Sequence, residues 1–311
     1  MGKTAFMFSG QGAQAIGMGR ELAEHYAEAD RVFDEASAAL GSDMKQLIWY
    51  GDEEALKITE NTQPAILTMS TAALRVLERE GVRADVVAGL SLGEYTAHVA
   101  AGSLEFTDAV RLVKKRGRYM QQEVPLGKGG MAAILGLSEE AVTAACREAS
   151  ALGIVEPANF NCPGQIVVAG ELAAVERASE LAKEAGAKRA VMLPVSAPFH
   201  CSMLKGAGEK LAAELEDVPV GEMKIPVMTN VTADFVKSSA EIKELLVRQV
   251  SSGVKWQKIV ENMLAFGVDT FIEIGPGKAL SGFVKKISRE AVILNVEDIA
   301  SLENTLERLR G

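Results

Sequence analysis

Three cysteines, three histidines and two tryptophans among 311 residues set the first limits. Cys146, Cys162 and Cys201 are odd in number and form no C-x-x-C pair, so they support neither a disulfide framework nor a zinc site. A reducing cytoplasm is the expected compartment. Cations are outnumbered, 33 Lys and Arg against 42 Asp and Glu, and a net charge of -9 argues against nucleic-acid binding, which needs concentrated positive charge. No apolar run approaches the roughly 20 residues of a membrane span, so no membrane association is expected. The run Met1 to Ser9 enters a glycine-rich turn without the longer apolar core and cleavage site of a secretory signal. Internal repeats and low-complexity tracts are absent. With 48% hydrophobic and 24% charged residues, the composition is that of a globular protein with a sizeable core, in one large domain or two.

What is present centres on Val86-Val87-Ala88-Gly89-Leu90-Ser91-Leu92-Gly93-Glu94-Tyr95. An apolar, β-branched run breaks into Gly-x-Ser-x-Gly and continues as a helix-compatible segment, which is the pattern of a nucleophile elbow. The glycines admit a backbone that doubles back on itself. The serine at the apex would sit in a strained conformation below the positive end of the following helix, where the N–H of Leu92 is free to hold an oxyanion. An ordinary glycine-rich turn is the plainer alternative.

Elsewhere the chain alternates strands and helices. Thr4 to Phe8 reads as a strand, followed by the turn Ser9-Gly10-Gln11-Gly12 and by Met18, Leu22 and Tyr26 at helical spacing. With Ala15 where a third glycine would be needed, the turn is not a dinucleotide fingerprint, and no Gly-Lys-Ser/Thr makes it a phosphate loop. Gln11 could instead offer its backbone N–H to the same oxyanion as Leu92. Helices are predicted around Phe33 to Leu40, from Pro64 to Leu77, and from Thr107, taken as an N-cap, to Lys114-Lys115-Arg116-Gly117-Arg118-Tyr119-Met120. At Val124-Pro125-Leu126-Gly127 the texture changes. From there to Val195 the order is strand, helix, strand, strand, helix, strand, a ferredoxin-like βαββαβ plan. The rest returns to alternating elements and includes Thr270 to Lys278, another strand into a glycine-rich turn. The expected fold is α/β, a large core with a parallel sheet and the elbow (residues 1–124 and 197–311) interrupted by a smaller domain (residues 125–196).

Ser91 as a nucleophile needs a base. His98 lies seven residues further along the same helix, about 10 Å away along its axis, and is too distant. His25 sits among Glu24, Glu28 and Asp30 on what reads as a solvated face. His200, in an irregular stretch after Pro198 and Phe199, is the candidate. No acidic third member is apparent, and a backbone carbonyl could serve to fix the histidine tautomer. Arg116 reads either as a solvated cation at a helix end or as an inward-facing anion binder. The stretch Asn159 to Gln165, containing Asn161, is either a plain hairpin turn or a polar strip beside a substrate.

Taken together, Phe8 to Gly12, Gly89 to Tyr95, Arg116, Asn159 to Gln165, Ala197-Pro198-Phe199-His200 and Glu273 to Lys278 resemble the malonyl-CoA:acyl carrier protein transacylases of fatty acid synthesis, over essentially the whole chain. The resemblance implies a hydrolase-like core with a ferredoxin-like insertion. It implies Ser91 as nucleophile, His200 as base, Gln249 as donor of the carbonyl that orients His200, and the N–H groups of Gln11 and Leu92 as oxyanion hole. Arg116 would bind the malonyl carboxylate, with Phe199 and Asn161 next to the substrate. Leu90 departs from the pattern, where many members carry histidine. The implied reaction is ping-pong transfer from malonyl-CoA to an acidic acyl carrier protein by a monomer, with coenzyme A a substrate moiety, no cofactor and no metal. A serine thioesterase or hydrolase on the same core is the alternative, and a carrier-binding protein with a dead site is a third reading.

Overall fold

Strand β1 (Lys3–Phe8) explains the rest of the large sheet. Its last four residues are buried and apolar, because it lies between two parallel neighbours and is covered on both faces. In the computed structural model, which describes residues 2–195 and 197–310, β1 leads into α1 (Arg20–His25), α2 (Ala27–Leu40), a π-helical turn, α3 (Glu53–Lys57) and α4 (Thr59–Arg79). Then follow β2 (Val86–Gly89), α5 (Gly93–Ala101) and α6 (Phe106–Glu123). The middle of the chain holds β3 (Gly129–Leu135), α7 (Glu139–Ala149), β4 (Val155–Cys162), β5 (Gln165–Glu171), α8 (Leu172–Glu184) and β6 (Arg189–Met192). The last part holds α9 (Lys205–Glu216), β7 (Val227–Met228), α10 (Ile242–Val250), α11 (Trp256–Ala265), β8 (Val268–Ile274), α12 (Ala279–Ile287), β9 (Val292–Val296) and α13 (Ile299–Arg310).

Two sheets result. The parallel one has the order β7-β2-β1-β8-β9, and its side chains alternate between two cores as the pleat requires. Phe6, Phe8 and Val87 face Phe33, Ile66 and Val113 of the helices on one side, whereas Ala5, Met7 and Ala88 face Trp256, Ile259 and Val284 on the other. Phe8, Gly89 and Ile274 are level in register, so the turns after β1, β2 and β8 open at one edge of the sheet. That carboxyl edge is where α/β sheets bind ligands. The second sheet is antiparallel, in the order β4-β5-β3-β6. One face carries Ile134, Ile166 and Val168 against Val142 and Val175 of α7 and α8. Its other face, with Met131, Ala158 and Ala169, packs against Cys201 and Phe199.

Several elements differ from the sequence reading. Thr107 is not a cap, since α6 begins one residue earlier with Glu105 at the N-cap position and no side-chain cap bond. At its other end α6 runs to Glu123, past the predicted Met120, and carries Arg116 inside the helix with its side chain buried. Gly117 is the reason that this stretch can be buried, for a Cβ there would lie 2.6 Å from the backbone oxygen of Thr59 at the start of α4. The stretch Asn159 to Gln165 is strand up to Cys162, leaving a turn at Pro163 and Gly164 alone. Ser138, by contrast, caps α7 by accepting the Ala141 N–H. The reading had no counterpart for α13. Ser196, the last residue assigned to the smaller domain, lies outside the described residues.

Candidate active site

The turn after β2 is forced by contact. A Cβ on Gly89 would fall 1.9 Å from the carbonyl carbon of Gly93, and one on Gly93 would fall 2.1 Å from the backbone oxygen of Phe8. Between them Ser91 adopts φ 54°, a left-handed conformation that costs a non-glycine residue roughly 1–3 kcal/mol unless its surroundings impose it. Two side chains do so. Asn230, just after β7, accepts the Ser91 N–H on Oδ1 at 2.6 Å, and Gln249 donates Nε2–H to the Ser91 carbonyl at 2.9 Å.

His200 is the second non-glycine residue with a left-handed backbone at this site, at φ 63°, and it is buried. Its Nε2 lies 2.6 Å from Ser91 Oγ, while Nδ1 lies 3.0 Å from the Gln249 carbonyl oxygen. That carbonyl is in the last turn of α10, where helical carbonyls have no intrahelical partner. A carbonyl only accepts, so Nδ1 carries the proton and Nε2 presents its lone pair to the serine hydroxyl. Burial, helped by the Arg116 charge, lowers the His200 pKa to about 4, which keeps the imidazole neutral near pH 7.

Arg116 completes the group from α6. Only 1% of it is exposed. Nη1 donates to Gln63 Oε1 at 2.8 Å, and Nη2 donates to Gln249 Oε1 at 3.1 Å and to Ser91 Oγ at 3.3 Å. The guanidinium carbon lies 5.4 Å from the centre of the Tyr95 ring, and Nε has no partner among the described residues. Among those residues no carboxylate is within ion-pair distance, so the cation is buried with neutral acceptors only. Burial accordingly lowers its pKa. The nearby acid, Glu94, is fully buried and touches Gln249 and Asn230 in place of Arg116. Desolvation raises its pKa to about 7, against the hydrogen bonds from the Asn230 N–H and Gln249 and the Arg116 charge.

The other candidates fall into two sets. Gln11, in the turn after β1, donates Nε2–H to Thr59 Oγ1 at 3.2 Å, and Leu92 stands buried at the N-cap of α5. Among the described residues neither backbone N–H has a protein acceptor. Phe199 is half-buried where the core of the large domain meets the open face of the antiparallel sheet. Asn161 is buried on β4, and no hydrogen bond among the described residues links it to the Ser91 group. His98 is taken up by Ser103 Oγ at 2.9 Å, and His25 by the Glu21 carbonyl at 2.8 Å. Gln63 and Asn230 had no part in the sequence reading, and Glu94 entered it without a role. Glu94 carried a signal all the same, as an acid in a helix filled mostly with small and apolar side chains. Among the described residues no cluster of His, Cys, Asp and Glu could hold a metal ion, and no helix is long and apolar enough to cross a membrane.

Residues 5–304 match the family described as "Acyl transferase domain". A protein of Bacillus subtilis (strain 168), a malonyl CoA-acyl carrier protein transacylase, is 48% identical over 311 residues, which is 100% of this chain and 98% of the relative. The chain belongs to the malonyl CoA-acyl carrier protein transacylase family. A relative of the same name from Escherichia coli (strain K12) is 48% identical over 92% of this chain and 93% of its own length. Among solved structures, the transacylase of Clostridium perfringens superposes with a TM-score of 0.97 at 50% identity, covering 99% of this chain and 97% of that one. Another, described as a type II PKS acyl-carrier protein in complex with its malonyl-transacylase, has a TM-score of 0.96 at 44% identity over 98% and 99% of the two chains. The α/β fold, with one parallel and one antiparallel sheet, is that of these transacylases.

Proposed function

We propose that this chain transfers the malonyl group of malonyl-CoA to the phosphopantetheine thiol of an acyl carrier protein, through a malonyl ester on Ser91. The observation that carries the reading is Arg116, a buried cation without a carboxylate, 3.3 Å from the hydroxyl that His200 Nε2 meets at 2.6 Å. A site built this way lacks one anion, and a malonyl carboxylate is a planar anion that a guanidinium meets with two parallel hydrogen bonds.

In the first half-reaction His200 Nε2 takes the proton as Ser91 Oγ attacks the thioester carbonyl. The carbonyl oxygen becomes an oxyanion held by the Gln11 and Leu92 N–H groups, at the positive end of α5. Collapse breaks the C–S bond, and the CoA sulfur leaves with the proton from His200. The second half runs in the opposite sense: the carrier thiol gives its proton to His200, attacks the ester, and Ser91 Oγ recovers the proton. Coenzyme A is thus a substrate moiety and no bound cofactor takes part. Phe199 and Asn161 would line the path of the acyl group from the side of the antiparallel sheet.

For the fold we infer a hydrolase-like domain, residues 1–124 and 197–311, with a ferredoxin-like insertion at 125–196. The strand order β4-β5-β3-β6, with α7 and α8 on one face, supports the second assignment. A monomer working in the cytoplasm is the expected state. An acidic carrier requires local cations, and Lys188, Arg189, Lys285 and Lys286 are exposed. Arg189, Leu135 and Gln165 are adjacent across three strands, and Lys286 reaches Gln165 at 3.0 Å, which supports one basic patch at that end of the sheet.

The test is to mix the protein with malonyl-CoA, digest it and analyse the Ser91 peptide by mass spectrometry, with and without a carrier protein bearing phosphopantetheine. A malonyl ester on Ser91 that disappears onto the carrier thiol is expected. Release of free malonate in the presence of the carrier would favour a hydrolase, and a label on another residue would overturn the assignment.

A further inference from the structure

Glu94 lies three residues beyond Ser91, in the first turn of α5, with its carboxylate out of contact with water. Its Oε2 accepts the Gln249 Nε2–H at 2.7 Å and the backbone N–H of Asn230 at 2.9 Å. These are the two residues that restrain Ser91: Asn230 through the serine N–H and Gln249 through the serine carbonyl. One carboxylate oxygen therefore stands behind both restraints on a strained backbone.

The same bond decides which way the Gln249 amide faces. Its two N–H groups are committed, one to Ser91 O and one to Glu94 Oε2, and Oε1 is left to accept from Arg116 Nη2 at 3.1 Å. With the amide reversed, NH2 would oppose the guanidinium and the amide oxygen would oppose the Glu94 carboxylate, leaving buried groups unpaired at a cost of about 1–3 kcal/mol each. We propose that Glu94 is a positioning residue that locks the Gln249 amide, and through it holds the Ser91 hydroxyl and the Arg116 guanidinium in one fixed relation. Glu94 touches no substrate in this arrangement. The inference rests on the reading of Arg116 as the anchor of the acyl carboxylate.

The experiment compares Glu94→Ala, Glu94→Gln and Gln249→Met with wild type. Gln249→Met keeps the backbone carbonyl for His200 and removes the amide. Three quantities are read: kcat/KM for malonyl-CoA and for acetyl-CoA with a carrier thiol, the rate at which a fluorophosphonate labels Ser91, and the thermal midpoint. Loss of the lock should slow every acylation of Ser91, acetyl transfer and fluorophosphonate labelling included, and lower malonyl transfer further, by about 10²-fold in all in Glu94→Ala and in Gln249→Met, mainly through kcat, because the Arg116 guanidinium also loses its fixed place. Glu94→Gln retains an oxygen that can accept and should recover most of the loss. Equal losses for the two thioesters, or a Glu94→Gln variant as impaired as Glu94→Ala, would overturn the proposal. If Glu94→Ala does not fold, Gln249→Met and Glu94→Gln still decide it. Failure of the underlying reading looks different, as a wild-type protein without preference for malonyl over acetyl. Fluorophosphonate labelling slowed in Glu94→Ala and restored in Glu94→Gln would then still support the hold on Ser91, and an unchanged labelling rate would refute it.

Discussion

Arg116 is where the site departs from that of a general serine esterase. A guanidinium that has already left water, hydrogen-bonded only to amide oxygens and a hydroxyl, gains most from a ligand that brings a negative charge into direct contact. Arg116→Ala is expected to lower kcat/KM for malonyl-CoA by roughly 2–5 kcal/mol, tens- to thousands-fold, and to leave acetyl-CoA nearly unaffected. Arg116→Lys should recover only part, because the two-pronged geometry is lost. Steady-state kinetics on both thioesters check this, and an equal fall for the two would assign Arg116 to the fold or to the CoA moiety. His200→Ala should slow acylation by about 10²- to 10⁴-fold in a pre-steady-state measurement, the usual worth of a general base. Ser91 and His200 were legible in the sequence because glycine spacing and a shortage of histidines leave few candidates. Gln63 and Asn230 were not, since an amide in a helix or after a two-residue strand looks the same whether it faces a guanidinium or water.

At the scale of elements, the buried strands and the elbow could be read from local pattern, as strands covered on both faces need apolar side chains throughout. The facing of α6 could not. Its basic run looks solvated, and only the contact of Gly117 with the start of α4 shows why this part of the helix is buried and takes Arg116 inward. A methyl group at position 117 has no flexible neighbour to displace, since Thr59 meets it with backbone. Gly117→Ala is expected to cost about 1–3 kcal/mol of stability, the usual range for overpacking, in spite of the better helix propensity of alanine. It should also weaken malonyl transfer, because Gln63 and the Gln11 partner Thr59 both stand on the displaced end of α4. Urea denaturation and kcat/KM together test this, and a stabilised, fully active variant would refute it. The helix α13 was missed although Ile299, Leu302, Leu306 and Leu309 recur at helical spacing; it packs against β9.

For the whole molecule, four buried groups link folding to pH in the acidic range: His98, His200, Glu94 and Glu273. His98 and His200 both have their pKa lowered to about 4 by burial, so between there and the ordinary value near 6.5 the unfolded chain binds protons that the folded one refuses. Their contribution is complete above pH 6.5 and is lost as the pH falls towards 4. Glu94, raised to about 7, acts in the opposite direction, its contribution being present below about 4.5 and lost as the pH rises through 7. The two histidines therefore weaken the fold as the pH falls from 6.5 towards 4, and two acids oppose that fall, Glu94 and Glu273, whose pKa burial also raises. Urea titrations at pH 6.5, 5.5 and 4.5 check this: His98→Gln should lose less stability on acidification than the wild type, and an unchanged pH dependence would refute it. Across the surface, reversing the charges of Lys188, Arg189, Lys285 and Lys286 should slow transfer to an acidic carrier at low salt and flatten its salt dependence, with kinetics on a small thiol acceptor unchanged.

The pairing of β1 with both β2 and β8 also governs the order in which the protein comes into being. On a ribosome adding about 5–20 residues each second, β1 and β2 emerge early, but the other edge of β1 has no neighbour until Val268 to Ile274 leave the exit tunnel. Until then a bare apolar strand is open to pairing with another chain. His200 and Gln249 emerge in that same interval, so acylation competence cannot precede closure of the sheet by more than a few elements. A contact that spans so much sequence makes closure slow, and the nascent chain is most in need of a chaperone between the synthesis of the nucleophile and that of the strand that seals its sheet.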